Sequence, residues 1–389
     1  MRLAFPKIAI SGFGCVSPLG IGLPSTVENL RHSRDRIGPV RLFAVDKCVA
    51  KTAGQVDDTL REVAISIAAR SKRWTRPAQM ILTAMAEALA ARPRFVPDCV
   101  VVGTTSGGMS LGEAFYRSLA SGSAGWSATR RVRAYVPQEP VLQAMSIFGF
   151  RSPVRIVSNA CASGTNALGL ACQMIRAGSA QRVLAGGYDA LSQLVFAGFD
   201  CLRASTAEKC RPFDAERTGL VLGEGAAVFC LERVDSDLCI AGYGSAADTH
   251  HLTQPHPSGC GPLNAMRRAL ESAEADPSSV DYINAHGTGT PLNDSSEARA
   301  ILALCPKVPV SSTKSMTGHA LGAAGAIEAA FSCLGLREGF LPSNINFTQS
   351  EFPLDVIANT IRPAKARRAI SNSFGFGGAN AAVLLERRS

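Results

Sequence analysis

Aromatic side chains are scarce in this chain, at 6% of its 389 residues, and its apolar runs are short. No run approaches the roughly eighteen apolar residues that a membrane-spanning helix needs, and residues 1–7 lack the long apolar core of a signal peptide. Hydrophobic residues make up 46% and charged residues 18%, the balance of a globular protein rather than a disordered one. We therefore expect a compact cytoplasmic protein that does not enter a membrane.

The chain also lacks the cysteine spacings of disulfide or metal frameworks. None of its twelve cysteines forms a CxxC pair, and several lie in apolar segments such as VFCL at residues 228–231. Such cysteines behave as small buried hydrophobic residues, so free thiols in a reducing compartment are favoured over disulfides. No His, Cys and carboxylate residues share ligand spacing, and no metal site is predicted.

The formal charge of +9 admits two classes of acidic partner, nucleic acid or an acidic carrier protein. The basic residues fall in short clusters at 70–76, 130–133 and 362–368. No zinc-finger spacing, RNA-binding aromatic signature or long basic arm accompanies them. An acidic protein partner is therefore favoured over nucleic acid.

Apolar runs alternate with helical patterns, which indicates an α/β architecture with buried strands. The segment KIAISGFG at 7–14 resembles LCIAGYG at 238–244, and GAAVFCLE at 225–232 resembles NAAVLLE at 380–386. Two pairs of similar strand segments, which occur in the same order in each half, indicate duplication of one α/β unit. The predicted halves are residues 1–236 and 237–389.

The strongest candidate nucleophile lies in SNACASGTNA, at residues 158–167. An apolar strand leads to Cys161, and a helix of small residues follows. A thiol at a helix start faces free N–H groups and the positive end of the helix dipole, so we expect its pKa to be lowered towards neutrality. The alternative is a buried cysteine in a tight turn.

Two further motifs place histidines after apolar strands. His286 lies in NAHGTGTP, at 284–291, while Lys314 and His319 lie in SSTKSMTGHALGAAG, at 311–325. Loops at strand ends often hold reactive groups, threonine hydroxyls can bind a ligand, and Lys314 or His319 can donate to a developing negative charge. A satisfied structural histidine is the alternative for His286.

A fourth motif is the glycine-rich NSFGFGGAN, at 372–380. It can expose backbone N–H groups and carry a mobile apolar gate, or it can be an ordinary turn into the last strand. The segment GFGCVS at 12–17 has Ser17 where a dinucleotide fingerprint needs its third glycine. We interpret that segment as a tight turn.

Together these four motifs, with RPFDAERTGLVLGEGA at 211–226, resemble the elongating β-ketoacyl-acyl carrier protein synthases over nearly the whole chain. The resemblance implies the thiolase fold, a duplicated five-layer αβαβα arrangement. It implies that Cys161 accepts an acyl group as a thioester. His286 and His319 would then stabilise the enolate left when malonyl-carrier loses carbon dioxide. Attack of that enolate on the acyl-cysteine gives a β-ketoacyl product two carbons longer.

The same resemblance implies supporting roles. Lys314 would support the histidines electrostatically, with Glu297 as its carboxylate neighbour. The backbone N–H groups of Cys161 and Phe376 would form the oxyanion hole, and Phe376 would also gate the acyl pocket. Thr288 and Thr290 would bind the phosphopantetheine arm, and Lys72 and Arg73 would form the carrier-protein surface. No cofactor is bound by the enzyme itself, because the phosphopantetheine arm of the carrier delivers the substrates.

Several other classes conflict with particular residues. Chain-initiating synthases have Asn where this chain has His319, and biosynthetic thiolases have a second cysteine that residues 372–380 lack. A catalytically silent chain-length partner is the remaining alternative, but such partners typically lose the nucleophile, and Cys161 is present. The resemblance implies a homodimer, or a heterodimer with a similar subunit. A short connection at 232–238 raises the hypothesis of a specialised polyketide or aryl-polyene pathway rather than housekeeping fatty-acid synthesis.

Overall fold

The computed structural model describes residues 7–68, 74–123, 125–126, 132 and 135–388. The helices of the described chain are α1 (Leu23–Arg31), α2 (Leu60–Ala68), α3 (Arg76–Ala91), α4 (Met109–Ala120), α5 (Glu139–Ile147), α6 (Ser163–Arg176), α7 (Gln193–Cys201), α8 (Cys260–Ser272), α9 (Pro291–Leu304), α10 (Lys314–Thr317) and α11 (Ala324–Glu338). The strands are β1 (Ile8–Ser17), β2 (Gly20–Ile21), β3 (Ile37–Pro39), β4 (Thr52–Gly54), β5 (Cys99–Gly103), β6 (Val154–Val157), β7 (Arg182–Asp189), β8 (Leu222–Gly223), β9 (Gly225–Glu232), β10 (Leu238–Ala247), β11 (Tyr282–Asn284), β12 (Val310–Ser311), β13 (Phe340–Leu341), β14 (Arg362–Pro363), β15 (Arg368–Gly375) and β16 (Ala379–Arg387).

An 11-stranded sheet runs through the molecule in the order β12-β11-β15-β16-β10-β1-β9-β7-β5-β6, with β2 beside β1. Strands β1 and β10 pair antiparallel at its centre. On one side β5 pairs parallel with β6 and β7, while β9 runs antiparallel. On the other side β11 pairs parallel with β12 and β15, while β16 runs antiparallel. The two sides therefore repeat one pattern, although the boundary at residue 236 stays a prediction.

Helices α6 and α11 pack against each other, and both contact strands from the two sides of the sheet. Helix α3 covers β1 and β9 from outside, and α8 covers β10 and β16. The sheet thus wraps around a central helical layer, which gives the five-layer αβαβα arrangement that the sequence predicts. Small residues dominate α6 and α11 and are buried on all sides, as expected for helices inside a large core. In the described ranges no helix is long and apolar enough to cross a membrane.

This architecture places the predicted catalytic residues in turns around the central helices. Cys161 lies between β6 and α6, His286 follows β11, and His319 lies between α10 and α11. Strand β6 runs parallel to β5, and β11 runs parallel to β12 and β15. Within each half, the carboxyl ends of these parallel strands therefore lie at one edge of the sheet.

Candidate active site

Cys161 lies in the turn between β6 and α6, which we call the nucleophile turn (residues 158–162). Ala160 has φ of 48°, a left-handed conformation that costs a non-glycine residue of order 1 kcal/mol and needs surrounding structure to hold it. Cys161 follows directly and is 6% exposed. The strained turn therefore presents the thiol at the start of a buried helix.

Burial raises the pKa of the Cys161 thiol to about 12, with Lys314 opposing the shift and Asp189 adding to it. The expectation that the helix start lowers this pKa towards neutrality is wrong. Removal of the thiolate from water outweighs the favourable charges nearby, because a buried ion loses its hydration. The resting residue is therefore a thiol that must give up its proton as it reacts.

His286 is held by the carboxylate of Glu297. The backbone N–H of His286 donates to Glu297 Oε1 at 2.9 Å and that of Gly287 donates to Oε2 at 2.7 Å. Asn372 Nδ2 also donates to Oε1 at 3.1 Å. Burial raises the pKa of Glu297 to about 7, and these hydrogen bonds oppose the rise. Glu297 thus fixes the loop that carries His286.

His319 lies in the turn before α11, which we call the histidine turn (residues 318–322). Its backbone N–H donates to the carbonyl of Val221 at 2.7 Å, and its carbonyl accepts from the N–H of Gly223 at 2.9 Å. The rings of His319 and His286 lie 5.1 Å apart between centroids, with their planes at 81°. The two imidazoles therefore form one cluster, although they come from different loops.

Both imidazoles are neutral near pH 7. Burial lowers the pKa of His286 well below 6.5, and the charge of Lys314 lowers it further. The same two causes lower the pKa of His319. Among the residues that the structure describes, neither ring nitrogen of His319 has a hydrogen-bond partner, and Nδ1 of His286 has none. A neutral ring keeps one N–H donor, so the cluster can donate to a bound oxyanion.

Lys314 pairs with Glu328, not with Glu297. Lys314 Nζ donates to Glu328 Oε1 at 2.5 Å, with both side chains buried. The prediction that Glu297 is the carboxylate neighbour of Lys314 is therefore wrong. Glu297 is occupied by the backbone of the His286 loop, whereas α11 presents Glu328 to the ammonium group. Burial raises the pKa of Glu328 to about 7, and Lys314 opposes this.

A cavity of about 350 Å³ reaches from the surface to these residues. Cys161, His286 and His319 line it, as do three of the seven other predicted site residues, namely Thr288, Thr290 and Phe376. The hydroxyls of Thr288 and Thr290 lie 2.8 Å apart. The exposed ring of Phe376 stacks on Phe199, with centroids 5.6 Å apart. The predicted carrier-surface residues Lys72 and Arg73 lie outside the described residues.

Sequence reasoning missed four residues at this site. Phe199 and Arg203 line the cavity. Asp189 accepts hydrogen bonds from backbone N–H groups of two loops. The sequence could have predicted a role for Glu328, because a carboxylate within the small-residue run of α11 is buried and needs a buried partner. It could not have predicted the other three residues, because a lining ring, a lone arginine and an acceptor for backbone N–H groups have no sequence signature.

Within the part of the chain that the structure describes, no three His, Cys, Asp or Glu side chains are grouped to hold a metal ion. The sequence-based expectation of no metal stays a prediction.

A five-layer αβαβα fold with a buried cysteine at a helix start and two neutral histidines on one cavity defines a condensing enzyme of the thiolase type. The model "Beta-ketoacyl synthase, N-terminal domain" matches residues 6–236, and "Beta-ketoacyl synthase, C-terminal domain" matches residues 238–348. The chain therefore belongs to the β-ketoacyl synthase family, which confirms the resemblance found in its sequence.

Individual relatives agree with the family. The 3-oxoacyl-[acyl-carrier-protein] synthase 2 of Staphylococcus aureus strain N315 is 32% identical over 412 residues, with 98% of each chain covered. The structure of the ishigamide ketosynthase/chain length factor gives a TM-score of 0.91 at 28% identity, covering 99% of this chain and 100% of that one. A type II PKS acyl-carrier protein in complex with its ketosynthase bound to the hexaketide gives 0.86 at 25% identity, covering 98% and 99%.

Proposed function

We propose that this enzyme condenses malonyl-carrier protein with an acyl chain bound to Cys161, releasing carbon dioxide and a β-ketoacyl-carrier product. The observation that carries the proposal is the meeting of one buried thiol and two neutral imidazoles on a single cavity. A silent chain-length partner would not need this set. The chain retains the nucleophile, so the active enzyme is favoured.

The proposed reaction has two stages. In the first, Cys161 attacks an acyl thioester, the acyl group moves to its sulfur, and the thiol proton leaves on the pantetheine thiol. In the second, bound malonyl thioester loses carbon dioxide, and the enolate oxygen accepts hydrogen bonds from the N–H groups of His286 and His319. The enolate carbon then attacks the carbonyl carbon of the acyl-cysteine, the bond from that carbon to Cys161 Sγ breaks, and the released thiolate takes up a proton from solvent.

The remaining predicted residues have supporting roles in this proposal. Burial, with the charge of Lys314 as the second cause, keeps both imidazoles neutral, and Glu328 pairs with Lys314 within the core. The backbone N–H groups of Cys161 and Phe376 would receive the oxyanion of the tetrahedral intermediate. Thr288 and Thr290 line the cavity where a pantetheine arm would pass, and their hydroxyls suit its amides.

An acyl carrier protein is the proposed partner, and the phosphopantetheine arm replaces an enzyme-bound cofactor. Support comes from the relative whose structure contains a type II PKS acyl-carrier protein with its ketosynthase. Arg203 lies at the cavity and can meet a phosphate. Lys72 and Arg73 stay predicted carrier contacts, and the cytoplasmic location stays a prediction.

A second thiolase-like subunit is proposed to cover the face formed by β6 and α4. Among the described strands, β6 ends the large sheet with one side unpaired, and α4 has no buried residues. Tyr116, Leu119 and Trp126 are exposed on or near α4, at 71%, 52% and 92%. Such apolar exposure is typical of a subunit interface.

A homodimer is proposed, and light scattering after size-exclusion chromatography tests it, because a monomer of 40.8 kDa would contradict it.

Specialised polyketide or aryl-polyene elongation remains the proposed pathway class. Turnover of saturated and polyunsaturated acyl carriers by the purified enzyme would compare the two possibilities. Preference for ordinary saturated chains would overturn the specialised assignment and leave the condensation itself intact.

The condensing function is tested by mixing enzyme, acyl-carrier and malonyl-carrier and measuring the β-ketoacyl product by mass spectrometry. The His319→Ala variant should form product roughly 100-fold more slowly, because one donor to the enolate is lost, yet it should still acylate Cys161. His32→Ala, an exposed histidine that does not line the cavity, is the control and should behave as wild type. Loss of acylation together with condensation in His319→Ala would contradict the assigned role.

A further inference from the structure

The two reactive turns each contain a strained residue. Ala160 precedes Cys161 with φ of 48°, and Leu321 follows His319 by two positions with φ of 50°. A non-glycine residue in this left-handed region relaxes unless neighbouring groups hold it. Each turn therefore needs an external support, and the supports converge on one buried side chain.

That side chain is Asp189, the last residue of β7, which has no exposed surface. Its Oδ1 atom accepts hydrogen bonds from Thr104 Oγ1 at 2.7 Å, from the N–H and hydroxyl of Ser106 at 2.8 Å each, and from the N–H of Gly107 at 3.1 Å. These donors all belong to the loop that follows β5. Asp189 therefore organises a whole loop beside the nucleophile turn.

The second oxygen joins the two turns. Oδ2 accepts the N–H of Thr105 at 2.9 Å and the N–H of Gly322 at 2.7 Å. Thr105 Oγ1 in turn donates to the carbonyl of Ala160 at 2.9 Å. Gly322 is the residue after the strained Leu321. One carboxylate oxygen thus links the nucleophile turn, through Thr105, to the histidine turn, through Gly322.

We propose that Asp189 is a positioning residue that holds Cys161 and His319 in their reactive arrangement through this shared oxygen. The proposal rests on the proposed function and extends it to a residue outside the cavity lining. The backbone of Gly322 packs directly against the backbone of Thr105, because a Cβ at Gly322 would lie 2.6 Å from the Thr105 nitrogen and 2.8 Å from Asp189 Oδ2. A small shift of either turn is therefore transmitted to the other.

Asparagine is the informative replacement because it preserves size and one acceptor. If its oxygen keeps the four donors at the Oδ1 position, its NH₂ group faces the N–H groups of Thr105 and Gly322. Donors then face donors, and the two hydrogen bonds that join the turns are lost. The Asp189→Asn variant thus removes the link selectively.

The matched control is Asp98→Asn. Asp98 precedes β5 and accepts the N–H groups of Gln181 and Arg182 at 2.8 and 2.9 Å. It thereby ties the opposite ends of the same two strands, β5 and β7, away from the cavity. Loss of strand support alone should affect both variants, whereas loss of positioning should affect only Asp189→Asn.

Two measurements are made on the full-length protein. Hydrogen–deuterium exchange should speed up in peptides covering 104–107 and 319–323 for Asp189→Asn, and around 181–182 for Asp98→Asn. Condensation should lose roughly 100-fold in kcat for Asp189→Asn, with KM for both carriers within about threefold of wild type. Asp98→Asn should keep kcat within about threefold. Equal kcat losses, or unchanged exchange at 319–323, would overturn the proposal.

Failure of the proposed function looks different. If wild type forms no β-keto product, the function fails, and the exchange data alone decide whether Asp189 holds both turns.

Should Asp189→Asn not fold, Thr105→Val replaces it, because Thr105 is exposed and the change removes only the hydroxyl bonded to Ala160. That variant should lose about fivefold in kcat, one neutral hydrogen bond, with unchanged KM. An unchanged kcat would overturn the proposal.

Discussion

At the scale of single residues, burial controls the chemistry of this site. It makes Cys161 a thiol and keeps His286 and His319 neutral, since each charged form would lose its hydration. Lys314 is the charge that remains, paired with Glu328. The site therefore combines neutral cysteine and histidine side chains with the buried ion pair of Lys314 and Glu328.

The pKa of Cys161 predicts how its reactivity depends on pH. Iodoacetamide reacts with the thiolate form of a cysteine, and burial raises the pKa of the Cys161 thiol to about 12. Below that pKa the thiolate fraction grows tenfold per pH unit, so alkylation of Cys161 should accelerate about tenfold per pH unit between pH 7 and 9. Peptide mass spectrometry follows Cys161, with the exposed Cys260 as an internal control. A rate that levels off near pH 7 would show that the thiolate is already formed.

The ion pair between Lys314 and Glu328 predicts a large stability effect. Glu328→Gln leaves a buried ammonium group without a counter-charge, which should lower the free energy of unfolding by about 3–5 kcal/mol. Urea unfolding measures this. The double variant Lys314→Met, Glu328→Gln removes the buried charge and should recover most of the loss. A double variant as unstable as the single one would mean that packing, not charge, dominates.

At the scale of elements, short strands brace the histidine turn. Strand β8 and the preceding Val221 hold the backbone of His319 by one hydrogen bond each, and β4 lies beside β8 in a three-stranded sheet with β3. Gly54, at the end of β4, packs directly under the carbonyl of Thr317. The turn that carries His319 is thus supported from below by main chain.

This contact predicts different outcomes for two glycines of the same small sheet. A methyl group at Gly54 would overlap the carbonyl oxygen of Thr317, whereas one at Gly38 would meet nothing within 4 Å. Gly54→Ala should lower the free energy of unfolding by about 1–3 kcal/mol and reduce condensation. Gly38→Ala should stay within about 0.5 kcal/mol of wild type. Thermal unfolding and product assays distinguish them, and equal behaviour would contradict the bracing role.

The same elements show what the sequence can and cannot predict. Cys161, His286 and His319 were identifiable because each follows an apolar strand within a polar or glycine-rich turn. The partner of Lys314 was not, because Glu297 and Glu328 are both near in sequence, and only the packing of α11 selects Glu328. The pKa of Cys161 was predicted in the wrong direction, since depth of burial has no local pattern.

At the scale of the whole molecule, the internal repeat of strands predicts the duplication of one α/β unit, and the family resemblance predicts the five layers. The repeats β1 with β10 and β9 with β16 occupy matching places on either side of the sheet centre. The five layers follow from two such units that share α6 and α11 as their common core. The proposed nucleophile Cys161 comes from the first unit and both histidines come from the second, so the proposed site lies where the units meet.

The central claim is that Cys161 carries the acyl chain, and intact-mass analysis tests it most directly. Wild type and Cys161→Ala are incubated with an acyl-carrier thioester, and malonyl-carrier is added afterwards. We predict that only wild type gains the acyl mass and then loses it as a β-ketoacyl-carrier product. Acylation of Cys161→Ala, or a wild type that never gains the acyl mass, would contradict the account.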